Sequence, residues 1–231
     1  MITLISWNCS FEKGGFSNNK FDYITQKYNP QILIIQECKY TECIQVKSSF
    51  TNFTWYGDGK DSQLGIGIFS NEYKFELINE YKYNTNFRYV IPYSFKINNT
   101  EIILFAVWTK NYIDKFHKFA YVENINEAIT YYKDILKKNI IMIGDFNIAD
   151  KPDERKRYID LKQKLNEYNI SNRISNDLET KPTFYMHFQK DNSFTNDYCF
   201  ASKTINISKV EVGEHCLEYS DHCPLIVTLD Y

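Results

Sequence analysis

Five short segments of this 231-residue chain carry side chains able to do chemistry. They are Ser6-Trp7-Asn8-Cys9, Gln36-Glu37-Cys38, Gly144-Asp145-Phe146-Asn147, Asn196-Asp197-Tyr198 and Tyr219-Ser220-Asp221-His222. Carboxylates, side-chain amides and one imidazole recur among them. Magnesium takes oxygen ligands and keeps several of its waters, so one or two carboxylates suffice to hold it. Glu37, arriving at the end of an apolar run, is the best ligand candidate. In the Gly144 segment, strand alternation would send Asp145 and Asn147 to the same side. There the Asp can orient or deprotonate a water, and the Asn amide can donate to a substrate oxygen or fix the Asp. Each segment also has a plain reading. A lone Glu after a strand is usually a surface residue, Gly-Asp-x-Asn is ordinary turn chemistry, and a single His is more often structural than catalytic. His117, His187 and His215 take that plain reading; the other residues gain weight by occurring together.

The elements that must position these residues alternate along the chain. Ile2 to Trp7 reads as a short apolar strand. Phe21, Ile24 and Tyr28 fall at helical spacing, and Asn29-Pro30 stops that helix. Ile32 to Ile35 is a buried strand that would deliver Glu37 at its carboxyl end. Leu64 to Phe69, Tyr73 to Ile78, Tyr89 to Ile97 and Glu101 to Trp108 read as consecutive strands, with Asn98-Asn99 as a hairpin turn. Val122, Ile125, Ile129, Tyr132 and Leu136 form a helical stripe. Ile140 to Ile143 is another buried strand ending at Gly144-Asp145. Tyr158, Leu161, Leu165 and Tyr168 mark a second stripe, preceded by a charged stretch, Asp150 to Arg157, read as a solvated loop. Strands around Phe184, Tyr198, Val210 and Ile226 complete the chain. So many strands with about three helices imply an α/β protein: two sheets packed face to face, helices outside, in one domain over residues 1–231.

Composition narrows the function classes only a little. The formal charge of −2 offers no broad basic field of the kind that dominates nonspecific duplex binding. The 17% aromatic content could stack on bases, but Phe, Tyr, Ile, Asn and Lys are abundant together, so composition earns no base-stacking assignment. The six cysteines show no Cys-x-x-Cys and no partnering His spacing, which argues against zinc. Several fall in apolar runs, where free thiols serve as small hydrophobes. Met1-Ile2-Thr3-Leu4-Ile5 lacks a basic region and no apolar run approaches a membrane span. A reduced, cytoplasmic protein with no membrane association is the expectation, monomeric by default, with no protein partner inferable.

In their order, the five segments resemble the catalytic segments of the endonuclease/exonuclease/phosphatase superfamily, the DNase I-like metal-dependent phosphodiesterases. The resemblance runs from residue 3 to residue 228. It implies a four-layer α/β sandwich of two packed mixed sheets, and a magnesium-dependent phosphoric ester hydrolase, with manganese as a possible substitute. Residue by residue, it implies that Glu37 binds the metal with Asn8 beside it and Asp221 as a second carboxylate. It implies that Asp145 and Asn147 act at the reacting centre, and that Asp197 pairs with His222. Either Asp145 or His222 can serve as general base under this resemblance; we expect Asp145 to position the water and His222 to bind phosphate. A carboxylate beside an imidazole raises its pKa, which suits that division.

Two positions depart from the family pattern. Trp108 stands where members often carry a histidine or tyrosine touching the phosphate; an indole offers one N–H donor and no acid. It can hydrogen-bond a phosphate, stack on a base or pack at the sheet rim. Lys110 could add charge nearby, and Asn111 follows where some DNA-repair relatives place a phosphate-contacting asparagine. Polar Asn196 precedes Asp197 where an apolar residue is common, which bears on strand register. The chain has little room for the insertions that shape lipid or inositol pockets. The expected activity is a nuclease with nucleic acid as substrate, DNA slightly ahead of RNA. The alternatives are a phosphatase or phosphodiesterase of a small ester, and a binding module on the same fold that has lost the chemistry.

Overall fold

The computed structural model describes residues 1–57, 64–78, 87, 89–110, 112–113, 118–119, 121–149, 155–174 and 181–231. The first part of the chain forms β1 (Ile2–Asn8), α1 (Asn18–Tyr28), β2 (Ile32–Lys39), α2 (Tyr40–Val46), β3 (Asn52–Gly57) and β4 (Leu64–Ser70). Next come β5 (Glu76–Leu77), β6 (Val90–Ile97), β7 (Thr100–Trp108), β8 (Tyr112–Ile113), β9 (Lys118–Phe119) and α3 (Tyr121–Tyr131). The rest forms β10 (Ile140–Asp145), α4 (Arg155–Asn166), β11 (Ile170–Asn172), β12 (Phe184–Tyr185), β13 (Ser193–Phe194), β14 (Asp197–Ser202), β15 (Ile207–Val212) and β16 (Leu225–Leu229).

Two mixed six-stranded sheets result, ordered β15-β16-β1-β2-β4-β3 and β11-β14-β10-β7-β6-β5. In each, one pair of strands is parallel: β1 with β2, and β7 with β10. Successive side chains of a strand point to opposite faces, and the packing follows that period. Ile2 and Leu4 of β1, Ile32 and Ile34 of β2, and Ile141 and Ile143 of β10 enter one core between the sheets. Ile5, Trp7, Leu33 and Ile35 pack outward with α1 residues Phe21 and Ile24. Ile140 and Met142 pack outward with Ile125 and Ile129 of α3 and Leu161 and Leu165 of α4. The layers are therefore helix, sheet, sheet, helix, the four-layer sandwich expected from the sequence.

This alternation also aims the polar residues. Asn8 continues the face of Ile2 and Leu4; Asp145 continues that of Ile141 and Ile143; Asp197 shares the face of Cys199 and Ala201. Because β14 runs antiparallel to β10, its first residue, Asp197, lies opposite the last, Asp145. One end of the inter-sheet space is thus lined by amide and carboxylate groups where the core runs out.

Several expected elements are shorter or differently placed. The strand expected over Tyr73 to Ile78 is only Glu76–Leu77. The first helical stripe is split: α3 ends at Tyr131, and Leu136 sits in a separate 3-10 turn, although Ile125, Ile129, Tyr132 and Leu136 share one core. The charged stretch read as a loop is helical from Arg155, and residues 150–154 lie outside the described residues. Helix α2 was not anticipated, since its sequence mixes Thr, Ile and Val with one turn's worth of signal. Glu42 secures its start by accepting from the Lys39 backbone N–H at 2.8 Å. Five of the six cysteines are buried, and all six are free thiols. Among the described residues no helix is long and apolar enough to cross a membrane.

Candidate active site

Asp145 is the hub. It is 1% exposed, and its Oδ2 accepts from the side-chain amides of Asn8 and Asn147, both at 3.0 Å. Its Oδ1 accepts from the Asn147 backbone N–H at 2.9 Å. The Asn147 amide also donates to the Thr109 carbonyl at 2.9 Å. Asp145 and Asn147 do meet, but not by the strand alternation expected of them. The strand ends at Asp145, and Asn147 turns back with φ 50°, so its side chain fixes the carboxylate in an Asx-type turn. Gly144 makes the approach possible. Its φ is +143°, and a Cβ there would sit 1.9 Å from the Val107 carbonyl oxygen on the neighbouring strand.

His222 joins the two carboxylates. Its Nδ1 lies 2.9 Å from Asp197 Oδ2 and its Nε2 lies 3.9 Å from Asp145 Oδ2. Asp197 Oδ2 also accepts from the Thr183 hydroxyl at 2.7 Å. The segment carrying His222 is laced to β1. Ser220 donates its hydroxyl to the Asn8 carbonyl at 2.7 Å and accepts from the His222 backbone N–H at 2.9 Å. The Trp7 indole donates to the His222 carbonyl at 3.0 Å.

Glu37 reaches the site by a route its sequence does not announce. Strand β2 does not end there; it continues to Lys39, and the ladder with β4 shifts register between Gln36 and Cys38. Glu37 is the extra residue of this bulge, with φ 60°. A bulge re-aims one side chain without ending the strand, and the left-handed backbone of a non-glycine residue is held only by its surroundings. Its carboxylate accepts from the Asn8 amide at 3.2 Å and from the Phe11 backbone N–H at 2.9 Å. Beneath it, buried Lys20 donates to the carbonyls of Cys9 at 2.5 Å and Ser10 at 3.1 Å. Burial pulls the Lys20 pKa down, and the charges of Glu37 and Asp221 are among those that oppose the fall.

The electrostatics follow from burial and crowding. Burial first, then the neighbouring Asp197 charge, push the Asp145 carboxyl up to about 7 against the opposing pull of His222 and the amide donors. Burial alone would lower the His222 pKa; Asp197, Asp145 and Asp221 outweigh it and hold the imidazole up at about 10. The result is a protonated imidazole between two carboxylates, with Asp145 poised to exchange a proton near neutral pH. This arrangement can bind an anionic oxygen through His222 and accept a proton at Asp145.

Asn8 presents its amide N–H groups to Glu37 and Asp145, while its Oδ1 accepts from the Ser10 backbone N–H at 3.0 Å. It bridges the two carboxylates, with its carbonyl facing the Ser10 backbone N–H. Asp221 is half-buried, and its charge is felt at Lys20, His215 and His222. Ligand atoms of Asp145, Asp197 and His222 lie within 4.8 Å of one another, but there the imidazole and Asp197 already satisfy each other. Glu37 connects to this cluster through Asn8, whose amide donates to both Glu37 and Asp145.

Trp108 lies at the mouth but belongs to the core. It is 3% exposed and stacks on Tyr89 at 5.4 Å with 17° between planes. The Lys110 ammonium sits 4.2 Å from the same ring. A base-stacking role does not fit that enclosure; the packing alternative does. Asn111 lies outside the described residues. Thr183 and Lys20 were missed by sequence reasoning, and Ser220, though within the His222 segment, drew no role, because hydroxyls and a lone lysine carry no periodic signal. Phe184, expected only as a strand, also packs its ring 4.6 Å from that of His222.

Known proteins resemble the chain over nearly its whole length. A family described as the Endonuclease/Exonuclease/phosphatase family matches residues 5–222. No curated protein matches the chain. Among solved structures, an AP endonuclease from Archaeoglobus fulgidus is similar with TM-score 0.70 and 18% identity, over 100% of both chains. The 3′ phosphatase NExo from Neisseria, bound to a product DNA hairpin, gives TM-score 0.64 and 15% identity, again over 100% of both chains. Truncated TDP2 from Caenorhabditis elegans gives 0.68 and 16%, covering 99% of this chain and 96% of its own. At these identities the likeness shows the fold.

Proposed function

The chain belongs to the endonuclease/exonuclease/phosphatase family, and from that premise we propose that it is a divalent-metal-dependent phosphodiesterase of nucleic acid, with DNA ahead of RNA. The observation that carries this reading is the buried row Asp145–His222–Asp197, with His222 Nδ1 held by Asp197 and Nε2 turned toward Asp145. A phosphodiester is anionic and its leaving alkoxide is poor, so a catalyst must neutralise the phosphate and handle a proton. Protonated His222 supplies a positive N–H donor for a phosphate oxygen. Asp145, with its pKa raised toward neutrality, orients a water and takes its proton. Asn147 and Asn8 hold Asp145 in place by donating to it. Thr183 and Asp197 hold His222, and Asp197 favours its charged form.

Magnesium or manganese would be held by Glu37 with Asp145 and Asp221, and would supply charge neutralisation at the phosphate and leaving oxygen. This reading takes residues 1–231 as one catalytic domain, because the site draws on both sheets. The AP endonuclease and the phosphatase bound to a DNA hairpin support nucleic acid as the substrate class.

The test is cleavage of labelled single-stranded, duplex and abasic DNA and of RNA, with magnesium, with manganese and with EDTA. Metal-dependent cleavage that His222→Ala loses is the expected result. Turnover of a small phosphate ester with every nucleic acid left intact would instead make the protein a small-ester phosphatase. Inactivity on all of them would leave the binding-module alternative.

A further inference from the structure

We infer that the site is built for unpaired nucleotides, whose bases stack on Phe11 and Phe188. This specificity rests on the nucleic-acid reading above. Phe11, three residues past Asn8, is 40% exposed. Its backbone N–H donates to Glu37 Oε2 at 2.9 Å, so the residue's backbone is tied to the candidate metal ligand. The Lys39 ammonium lies 4.6 Å from the centre of that ring. Phe188 comes from the other side of the site, in the loop between β12 and β13. That loop is fastened to the catalytic segment: Phe184 bridges to His222, and the Tyr185 N–H donates to the Asp221 carbonyl at 2.8 Å.

The chain around Phe188 is strained. His187 and Phe188 have φ of 53° and 59°, two consecutive left-handed residues that are not glycine. Such strain persists only where the surroundings impose it. Here it turns the half-buried Phe188 ring toward the first loop, where the Lys13 ammonium sits 4.1 Å from the ring centre. Lys13 and Phe11 belong to one 3-10 turn. The loop tied to Glu37 and the loop tied to His222 therefore meet, each carrying a phenylalanine with a lysine over it.

An aromatic ring paired with a cation is the unit that binds single strands: the ring takes a base and the ammonium a flanking phosphate. A duplex keeps its bases stacked inside and offers these rings nothing. Duplex binding depends instead on a broad positive field, which a chain of net charge −2 does not provide. The occupant this rim fits is a single strand or an unpaired end, of DNA or RNA alike.

The test measures binding of the intact protein in EDTA, where nothing is cleaved, by fluorescence anisotropy. The probes are a labelled oligothymidylate, a strand of equal length made of base-less tetrahydrofuran units, and a duplex. The base-bearing strand should bind roughly tenfold more tightly than the base-less one, and more tightly than the duplex. Phe11→Ala and Phe188→Ala should each erase most of that ratio, while Phe11→Trp keeps it. Equal affinity for strands with and without bases, or preference for duplex, overturns the proposal. The wild-type ratio decides this even where a variant folds poorly. Because binding is read without cleavage, an inactive protein that still prefers bases would sink the nuclease reading and leave the stacking rim standing.

Discussion

Asp145 and Asp197 stand directly opposite each other across the β10–β14 ladder. Both are almost fully buried, and two like charges so placed would repel unless something positive lay between them. The His222 imidazole does, touching Asp197 at 2.9 Å and facing Asp145 at 3.9 Å. The pairing register of two strands thus creates the need that the histidine answers. Removing any one of the three leaves the others with uncompensated charge or an unpaired polar group.

The pH–rate profile should be bell-shaped. Asp145 must be ionised to accept a proton, and its raised pKa puts the acid limb near 7. His222 must be protonated to bind phosphate, and its raised pKa puts the alkaline limb near 10. Activity rises as pH climbs through the first and falls through the second. A divalent cation beside Asp145 favours the carboxylate, so saturating magnesium moves the acid limb down. Profiles of kcat/KM at low and saturating magnesium check this; an acid limb indifferent to metal would separate Asp145 from the cation.

Thr183→Val should slow turnover about 10- to 100-fold, the scale of one hydrogen bond to a charged group. The hydroxyl it removes donates to Asp197 Oδ2 and accepts from the backbone N–H groups of Asn196 and Asp197. Thr183→Ser should recover most of the rate. Loss of hold on Asp197 also lowers the His222 pKa, which an NMR titration of the imidazole reads directly. An unchanged imidazole titration would leave Thr183 a purely structural role.

Glu37→Gln should weaken magnesium affinity at least tenfold, measured by isothermal titration calorimetry. The substitution removes the negative charge and leaves one acceptor oxygen where Glu37 uses two, Oε1 toward Asn8 and Oε2 toward Phe11. Unaltered affinity would take Glu37 out of the metal site.

Gly144→Ala should destabilise the fold by more than about 3 kcal/mol, the scale of a steric clash at a special backbone conformation. The new methyl meets the Val107 carbonyl on β7, a backbone atom with no freedom to move aside. Urea denaturation gives the number; a loss below about 1 kcal/mol would mean that β7 and β10 can part there.

Much of this was legible because a strand's period and a sheet's burial write themselves into residue types. Ile140 to Ile143 must be a buried strand, and the polar residues that follow must lie where it ends. The apolar stripe through Ile125 and Ile129 announces a helix on a sheet in the same way. The order of Asn8, Glu37, Asp145, Asp197 and His222 marked them as candidates through a family resemblance. Short elements stayed hidden: α2 and β11 have too few residues for a period to emerge.

What tertiary structure alone decided are relationships between residues far apart in sequence. Nothing near Glu37 predicts a bulge, because the bulge arises from how β2 must pair with β4. Trp108 looked available for a substrate until Tyr89, from the turn just before β6, closed over it. Thr183 became a partner of Asp197 only when the β12–β13 hairpin folded against the site. A sequence dictates which side chains can be acid, base or ligand, since that is local chemistry. Which of them meet, at what distance and in what dielectric, is set by sheet register and loop packing, and those settle the pKa values of Asp145 and His222.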